Sequence, residues 1–298
     1  MTEIWLVDAY TTKMLSGNPA GVVPHANHLT ETQMQAIASE MHAAETAFIL
    51  LPTNSSIADL KIRYFTPTKE VDLCGHATIA SVSALVQEGR LPTGSRERHE
   101  CRIETNVGVL SVRFTQISQF IYAVMELAKP AYRPFQEDLE LICKFLGISA
   151  FDVEQTLPLG FGYTGLWDLF VPVRSLEIMR RLEPDFERII EWSHTHSVVS
   201  FHVYTAECCE ESNHFHSRDF APAVGIPEDP ATGTATGALL GLLYRNGYIQ
   251  KGEKYRFEQG YEIGRPSMII GRVELCNNEL NVFVGGTATI TMKGHLRF

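Results

Sequence analysis

Clusters of lysine and arginine are missing from this chain of 298 residues, whose formal net charge is −10. An acidic surface repels phosphate backbones, so the composition argues against nucleic-acid binding. No apolar run approaches the ~20 residues that a membrane-spanning helix needs. The sequence therefore predicts a folded protein that binds neither nucleic acid nor a membrane.

The six cysteines form no C-x-x-C pair. The first residues include Glu3 and Asp8 and show no basic region followed by a long apolar core, so they do not resemble a signal peptide. We therefore expect reduced thiols and a cytoplasmic location.

Two histidine pairs and two nearby cysteines raise the question of a metal. On a strand, residues i and i+2 share a face, so each pair could chelate an ion. No helical H-x-x-x-H and no C-x-x-C accompanies them, and we interpret them as scattered surface histidines with no metal site. The residues concerned are His194, His196, His214, His216, Cys208 and Cys209.

Strands dominate the predicted elements, and the helices are isolated. Thr30 and Gln33 form a capping box before a helix over 30–42, whose apolar face is Met34, Ile37, Ala38 and Met41. A second helix is predicted over 76–87, and Ser175 is predicted to cap another. The C-terminal part reads as strands, with two of them at 280–284 and 287–292.

This order is not the regular alternation of a doubly wound sheet, and it predicts an α+β fold. Each half is expected to wrap a mixed or antiparallel sheet around a central helix. A segment with Pro130 and Pro134 marks the boundary. The predicted lobes are residues 1–128 and 129–298, with part of the C-terminal tail able to return to the first lobe.

The two halves repeat one pattern. In each, F-x-P is followed by an aspartate, then by G-x-A-T and an apolar helix. The two copies are Phe65-Thr66-Pro67, Asp72 and Gly75-His76-Ala77-Thr78, and Phe220-Ala221-Pro222, Asp229 and Gly233-Thr234-Ala235-Thr236. Two helix starts of this kind, facing one another across a cleft, would offer unpaired N–H groups and positive dipole ends to an anion such as a carboxylate.

Several longer blocks resemble the signatures of the PhzF (phenazine biosynthesis-like) family, in family order and over nearly the whole chain. They are Gly17-Asn18-Pro19-Ala20-Gly21-Val22-Val23, Glu45-Thr46-Ala47-Phe48, Arg63-Tyr64-Phe65-Thr66-Pro67, Val71-Asp72-Leu73-Cys74-Gly75-His76-Ala77-Thr78, Glu228-Asp229-Pro230-Ala231-Thr232-Gly233-Thr234-Ala235, Gly264-Arg265-Pro266-Ser267 and Val284-Gly285-Gly286-Thr287-Ala288.

The resemblance implies a fold similar to diaminopimelate epimerase, with two pseudo-symmetric lobes and the active site in the cleft between them. It also implies a homodimer that uses neither a metal nor an organic cofactor. The best-studied members isomerise dihydrohydroxyanthranilate, so a small carboxylate is the expected substrate.

Carried over position by position, the resemblance makes Glu45 the acid/base and assigns His76 and Asp229 to the catalytic set. The substrate-binding positions are Asn18, Gly75, Ala77, Gly233, Thr234 and Ala235. Thr234 stands where the best-studied members have serine, so a methyl group narrows the pocket.

The residues themselves also support a catalytic role for Glu45. A carboxylate can move a proton between carbons when burial raises its pKa towards neutrality. Glu45 begins an apolar strand that would desolvate it.

Cys74 matches the first of two cysteines that cofactor-free epimerases use as opposing acid and base. The second position is Thr232, whose hydroxyl is too weak an acid for that role. We therefore predict that Cys74 is a small packing residue. Three functions stay open: the PhzF-like isomerase, a one-base epimerase or tautomerase of a small amino or hydroxy acid, and a non-catalytic ligand-binding or interaction protein.

Overall fold

The computed structural model describes residues 1–91 and 99–297. The chain forms two compact units, one of residues 1–126 with 285–298 and the other of residues 127–284. The unit boundary at 126/127 lies close to the sequence-based one at 128/129. Across the described ranges, no helix combines the length and apolar character needed to cross a membrane.

Strands of the first unit close into a barrel. Neighbours pair in the order β17–β1–β2–β3–β4–β6–β7–β8, and β8 pairs with β17 again. Two of these pairings, β2 with β3 and β4 with β6, are parallel. The strands are β1 (Thr2–Ala9), β2 (Asn18–Val23), β3 (Glu45–Leu50), β4 (Leu60–Phe65), β5 (Glu70–Val71), β6 (Glu100–Thr105), β7 (Gly108–Ile117), β8 (Phe120–Glu126) and β17 (Glu279–Leu296).

Two helices pack on opposite sides of this barrel wall. Helix α2 (Gly75–Gln87) is buried at every residue from 77 to 85, as a central helix must be. Helix α1 (Glu31–Met41) covers the outside, and its apolar face packs on Phe48 and Phe65. Thr30 and Gln33 form the predicted capping box at its start.

The second unit also has a sheet with a central helix on one face, and three further helices cover its other face. Its strands pair in the order β9–β10–β11–β12–β13–β15–β16, with β14 also on β13 and the β16–β17 hairpin at the end. They are β9 (Ala131–Pro134), β10 (Gly160–Tyr163), β11 (Trp167–Pro172), β12 (Ser200–Thr205), β13 (Phe215–Ala221), β14 (Ile226–Asp229), β15 (Tyr255–Gln259) and β16 (Ser267–Cys276).

One face of this sheet holds the central helix α6 (Gly233–Arg245), buried from 235 to 243. The other face carries α3 (Leu139–Phe145), α4 (Leu176–Arg180), capped by Ser175 as predicted, and α5 (Phe186–His196). These three helices pack on a cluster that includes Leu169, Val171, Phe201, Val203 and Phe220. Alternate residues of β11 and β12 therefore face two different cores.

The prediction of two strands at 280–284 and 287–292 is wrong, because β17 runs unbroken from Glu279 to Leu296. Gly285 and Gly286 lie between the two predicted strands but make no turn. A Cβ at position 285 would instead lie 2.2 Å from the carbonyl oxygen of Ala123 on β8. Glycine is needed there for the close approach of another strand.

Candidate active site

Glu45 and His76 lie together in the first unit. Glu45 is the first residue of β3, and His76 is the second residue of α2. Glu45 Oε2 lies 3.5 Å from His76 Nε2, and the two side chains are only 16% and 10% exposed. The barrel strand and its central helix thus bring together the two groups that the sequence assigned to the catalytic set.

The imidazole and the carboxylate form an unusual pair. Burial lowers the pKa of His76, although the charge of Glu45 acts in the opposite direction. His76 is therefore neutral at physiological pH. Glu45 Oε2 is buried and, within the described part of the chain, accepts no hydrogen bond. An oxygen in this state is available to receive a proton.

Cys74 contacts the same histidine. Its Sγ lies 3.4 Å from His76 Nδ1, and the residue is 8% exposed. The Cys74 carbonyl accepts a 2.7 Å hydrogen bond from Thr78, whose hydroxyl also bonds Tyr64. The sequence predicted only a packing role for Cys74. The structure adds that its sulfur contacts the imidazole and that the ligand atoms of Glu45, Cys74 and His76 all lie within 4.8 Å of one another.

The start of α2 is open to a ligand. It has no side-chain cap hydrogen bond at its N-terminus among the described residues. A Cβ at Gly75 would meet no atom within 4 Å, whereas Ala77 is fully buried. Asn18, also assigned to substrate binding, begins β2 and is buried. The first-turn N–H groups of α2 and the space beside Gly75 fit an anionic group.

Asp229 is held in the second unit by a small hydrogen-bond network. It ends β14 and is 9% exposed. The Thr232 hydroxyl donates to Asp229 Oδ2 at 2.5 Å. Gln259 Nε2 donates to the Asp229 carbonyl at 2.7 Å and to the Thr232 hydroxyl at 3.0 Å. Gln259 was not found from the sequence, since an isolated glutamine on a strand carries no motif.

Helix α6 begins at Gly233 with no side-chain cap within the described residues, like α2. Gly233 and Ala235 are buried, and Thr234 is partly exposed. The Thr234 carbonyl accepts a 2.7 Å hydrogen bond from Thr164, which anchors this helix start. Both G-x-A-T motifs therefore start buried helices, as the internal repeat predicted.

The interpretation of all the histidine pairs as surface residues is wrong for His216. This side chain is fully buried on β13, between the carboxylates of Glu258 and Glu262. Burial disfavours its charge, but the hydrogen bonds to these carboxylates outweigh that effect and raise the pKa of His216. His194 and His196 lie in the last turn of α5, where residues i and i+2 do not share a face.

Among residues 1–91 and 99–297, two groups of side chains have the composition of metal ligands. In each, the ligand atoms lie within 4.8 Å of one another. One is Glu45, Cys74 and His76, and the other is Cys209, His216 and Glu258.

The fold and the site define a class of protein: a two-unit α+β protein with a barrel around a central helix and a buried carboxylate–imidazole pair at a helix start. The profile of the PhzC-PhzF phenazine biosynthesis-like family matches residues 7–294. The chain belongs to this family. The predicted fold and the predicted enzyme class, an isomerase of the PhzF family, are confirmed.

Relatives that cover at least 90% of this chain agree with this assignment. An uncharacterized isomerase of Bacillus subtilis is 37% identical, with 98% of this chain and 94% of the relative covered. The trans-2,3-dihydro-3-hydroxyanthranilate isomerase of Pseudomonas chlororaphis is 34% identical, with 90% and 89% covered. The crystal structure of a PhzF-family phenazine biosynthesis protein of Bacillus anthracis superposes with a TM-score of 0.92 at 30% identity, covering 100% and 99% of the two chains.

Proposed function

We propose that this chain is a cofactor-independent isomerase that moves a proton between two carbons of a small carboxylate. The observation that carries the proposal is the buried Oε2 of Glu45, which accepts no hydrogen bond among the described residues and lies 3.5 Å from a neutral imidazole. A base that is already hydrogen-bonded would first have to lose its partner.

The proton transfer balances without a redox partner. Glu45 removes a proton from one substrate carbon, and the electron pair of that C–H bond forms a new double bond. The original double bond shifts, and the protonated Glu45 returns the proton to a second carbon. Substrate and product then have the same composition, and the enzyme ends as it began. His76, 3.5 Å away, would hydrogen-bond the substrate or the protonated glutamate.

The remaining assigned residues bind the substrate in this proposal. The uncapped first turns of α2 and α6 supply N–H groups for a carboxylate. Asp229, oriented by Thr232 and Gln259, would accept a hydrogen bond from a substrate amino or hydroxyl group. The joint binding of one substrate by groups from both halves of the sequence stays a prediction.

The Pseudomonas chlororaphis relative suggests the substrate class. Its substrate, trans-2,3-dihydro-3-hydroxyanthranilate, is a cyclic carboxylate that carries an amino and a hydroxyl group. A carboxylate would suit the helix starts and an amino or hydroxyl group would suit Asp229. We therefore propose cyclic amino or hydroxy carboxylates of this type as substrates, with Thr234 selecting the smaller ones.

Replacing Glu45 with glutamine tests the proposal. The amide keeps the shape but cannot take up a proton, so we expect kcat on trans-2,3-dihydro-3-hydroxyanthranilate to fall by about 10²–10⁴-fold while substrate affinity is nearly kept. Glu40, exposed on α1, gives the matched control, because E40Q removes the same charge from a solvent-exposed position that has no assigned role. A wild-type protein that binds the compound without converting it would instead support the ligand-binding alternative.

A further inference from the structure

A second buried cluster lies in the unit of residues 127–284 and has no part in the proposed reaction. His216 on β13 is fully buried, with Nδ1 at 2.8 Å from Glu258 Oε1 on β15. The Sγ of Cys209 lies 3.9 Å from the same Nδ1. The sulfur, nitrogen and oxygen of these three residues all lie within 4.8 Å of one another.

A set of one sulfur, one nitrogen and one oxygen ligand suits a divalent cation of intermediate hardness such as Zn²⁺. Zn²⁺ binds thiolate sulfur at roughly 2.3 Å and imidazole nitrogen or carboxylate oxygen at about 2.0–2.2 Å, so neighbouring ligand atoms of a tetrahedral site lie roughly 3.3–3.7 Å apart. The observed separations of 3.9 and 2.8 Å bracket this range. Small side-chain rotations would bring the three atoms to one ion.

Neighbouring residues make hydrogen bonds to these three residues of the kind that orient metal ligands. His216 Nε2 lies 3.0 Å from Glu262 Oε1, the carboxylate–histidine arrangement that fixes which ring nitrogen binds a metal. Glu258 Oε2 accepts from Asn213 Nδ2 at 2.7 Å and from the Glu210 N–H at 3.2 Å. The Cys209 N–H donates to Glu258 Oε1. Each proposed ligand is thus linked to a neighbour that holds it in place.

We propose that Cys209, His216 and Glu258 form a structural Zn²⁺ site, with water as the fourth ligand on the exposed side of Cys209. The thiolate and the carboxylate balance the charge of the ion, and the displaced protons pass to solvent. The ion would fasten the segment between β12 and β13 to β15. Glu45, Cys74 and His76 lack a comparable carboxylate behind the histidine among their described hydrogen bonds, so the proposal does not extend to them.

Cobalt(II) offers a direct test, because a thiolate ligand gives Co²⁺ a charge-transfer absorption that oxygen and nitrogen ligands do not. The full-length protein is stripped with EDTA, desalted and titrated with Co²⁺, and Zn²⁺ is then added in competition. We expect a single equivalent of Co²⁺ to produce the charge-transfer and tetrahedral d–d bands, and Zn²⁺ to remove them.

The variants decide where the metal binds. Cys209→Ser should abolish the charge-transfer band, and Glu262→Gln should keep it while weakening affinity about 10–100-fold. Cys208→Ser, adjacent in sequence, and Cys74→Ser, in the other unit, are matched controls and should keep the charge-transfer band of wild type. The proposal is overturned if no band appears, if the band survives in C209S, or if C74S removes it. In the first case the cluster is an ion pair only.

Discussion

At the scale of single residues, the proposed chemistry depends on the burial of Glu45 and His76. His76 lies in a repeated G-x-A-T motif and Glu45 begins an apolar strand, but the family blocks were needed to assign either residue a catalytic role. The helix start at Gly75 and the strand start at Glu45 follow from local pattern. The 3.5 Å contact between the two side chains depends on tertiary packing of α2 inside the barrel, which local pattern does not encode.

His76 should make the protein less stable in mild acid. Burial lowers its pKa, so below about pH 6.5 the unfolded chain takes up a proton that the folded chain does not. The stability present above pH 6.5 is lost as the pH falls through the folded pKa. Relative to His76→Gln, the unfolding free energy of wild type should drop by up to ~1.4 kcal/mol per pH unit in this window. Urea denaturation at a series of pH values measures this difference, and a constant difference would contradict the assigned burial.

At the scale of elements, β13 is one of the strands that the sequence pattern did not indicate. Its sequence Phe215–Ala221 places four polar residues in a row, and every one of them is buried. Arg218 pairs with Glu228 at 2.8 Å, and His216 pairs with Glu258. Each buried polar group is matched by a partner distant in sequence, so alternation of polar and apolar residues fails as a signal.

A buried carboxyl pair on the same sheet gives the next prediction. The Ser200 hydroxyl lies 2.9 Å from Asp168 Oδ1 and 2.7 Å from Asp219 Oδ1, yet it has one hydrogen to donate. Because burial and the charge of Asp219 raise the pKa of Asp168, we expect a protonated Asp168 to donate to Ser200. Asp219 also accepts from His202 Nδ1.

Asp168→Asn keeps this donor, so it should leave the protein folded at neutral pH. Asp219→Asn should cost about 2–3 kcal/mol, because a neutral amide oxygen is a weaker acceptor than the carboxylate for the two hydrogen bonds from Ser200 and His202. The wild-type stability that depends on Asp168 is complete below pH 3.8 and is lost as the pH rises towards the folded pKa. In urea titrations, the free energy of unfolding of D168N should therefore increase relative to that of wild type as the pH rises. An equal loss of stability in D168N and D219N would contradict the assignment of the proton to Asp168.

Strand β17 allows a matched pair of glycine substitutions. At Gly285 a Cβ would lie 2.2 Å from a backbone oxygen, whereas at Gly294 the nearest atom is Ile4 Cγ1 at 3.8 Å. We expect Gly285→Ala to cost about 1–3 kcal/mol and Gly294→Ala to change stability by less than about 0.5 kcal/mol. Thermal denaturation compares the two, and similar losses would mean that β17 and β8 are less closely packed than described.

At the scale of the whole molecule, the α+β class, the duplicated pattern and the central helices could be predicted, because each half carries its own hydrophobic and glycine signals. The exact segment that returns to the first unit, residues 285–298, could not be predicted. Pairing between strands so far apart in the chain has no local sequence signal. The homodimer and the cytoplasmic location expected from the sequence stay predictions.

The net charge of −10 gives a prediction for the complete protein. An anionic substrate is repelled by the overall field but attracted by N–H groups at short range. Salt screens the long-range repulsion more than contacts in a buried site. We expect kcat/KM to stay constant or rise between roughly 10 and 150 mM NaCl. A steep fall would indicate recruitment by a basic surface, which the composition does not provide.

The central claim is that Glu45 carries a proton between substrate carbons, and solvent isotope incorporation tests it most directly. The reaction of trans-2,3-dihydro-3-hydroxyanthranilate is run in D₂O and the carbon-bound hydrogens are followed by NMR. A carboxylate that shares its proton with water should introduce deuterium at the accepting carbon with wild type and E40Q, and at a rate reduced by about 10²-fold or more with E45Q. Equal incorporation by wild type and E45Q would contradict the account.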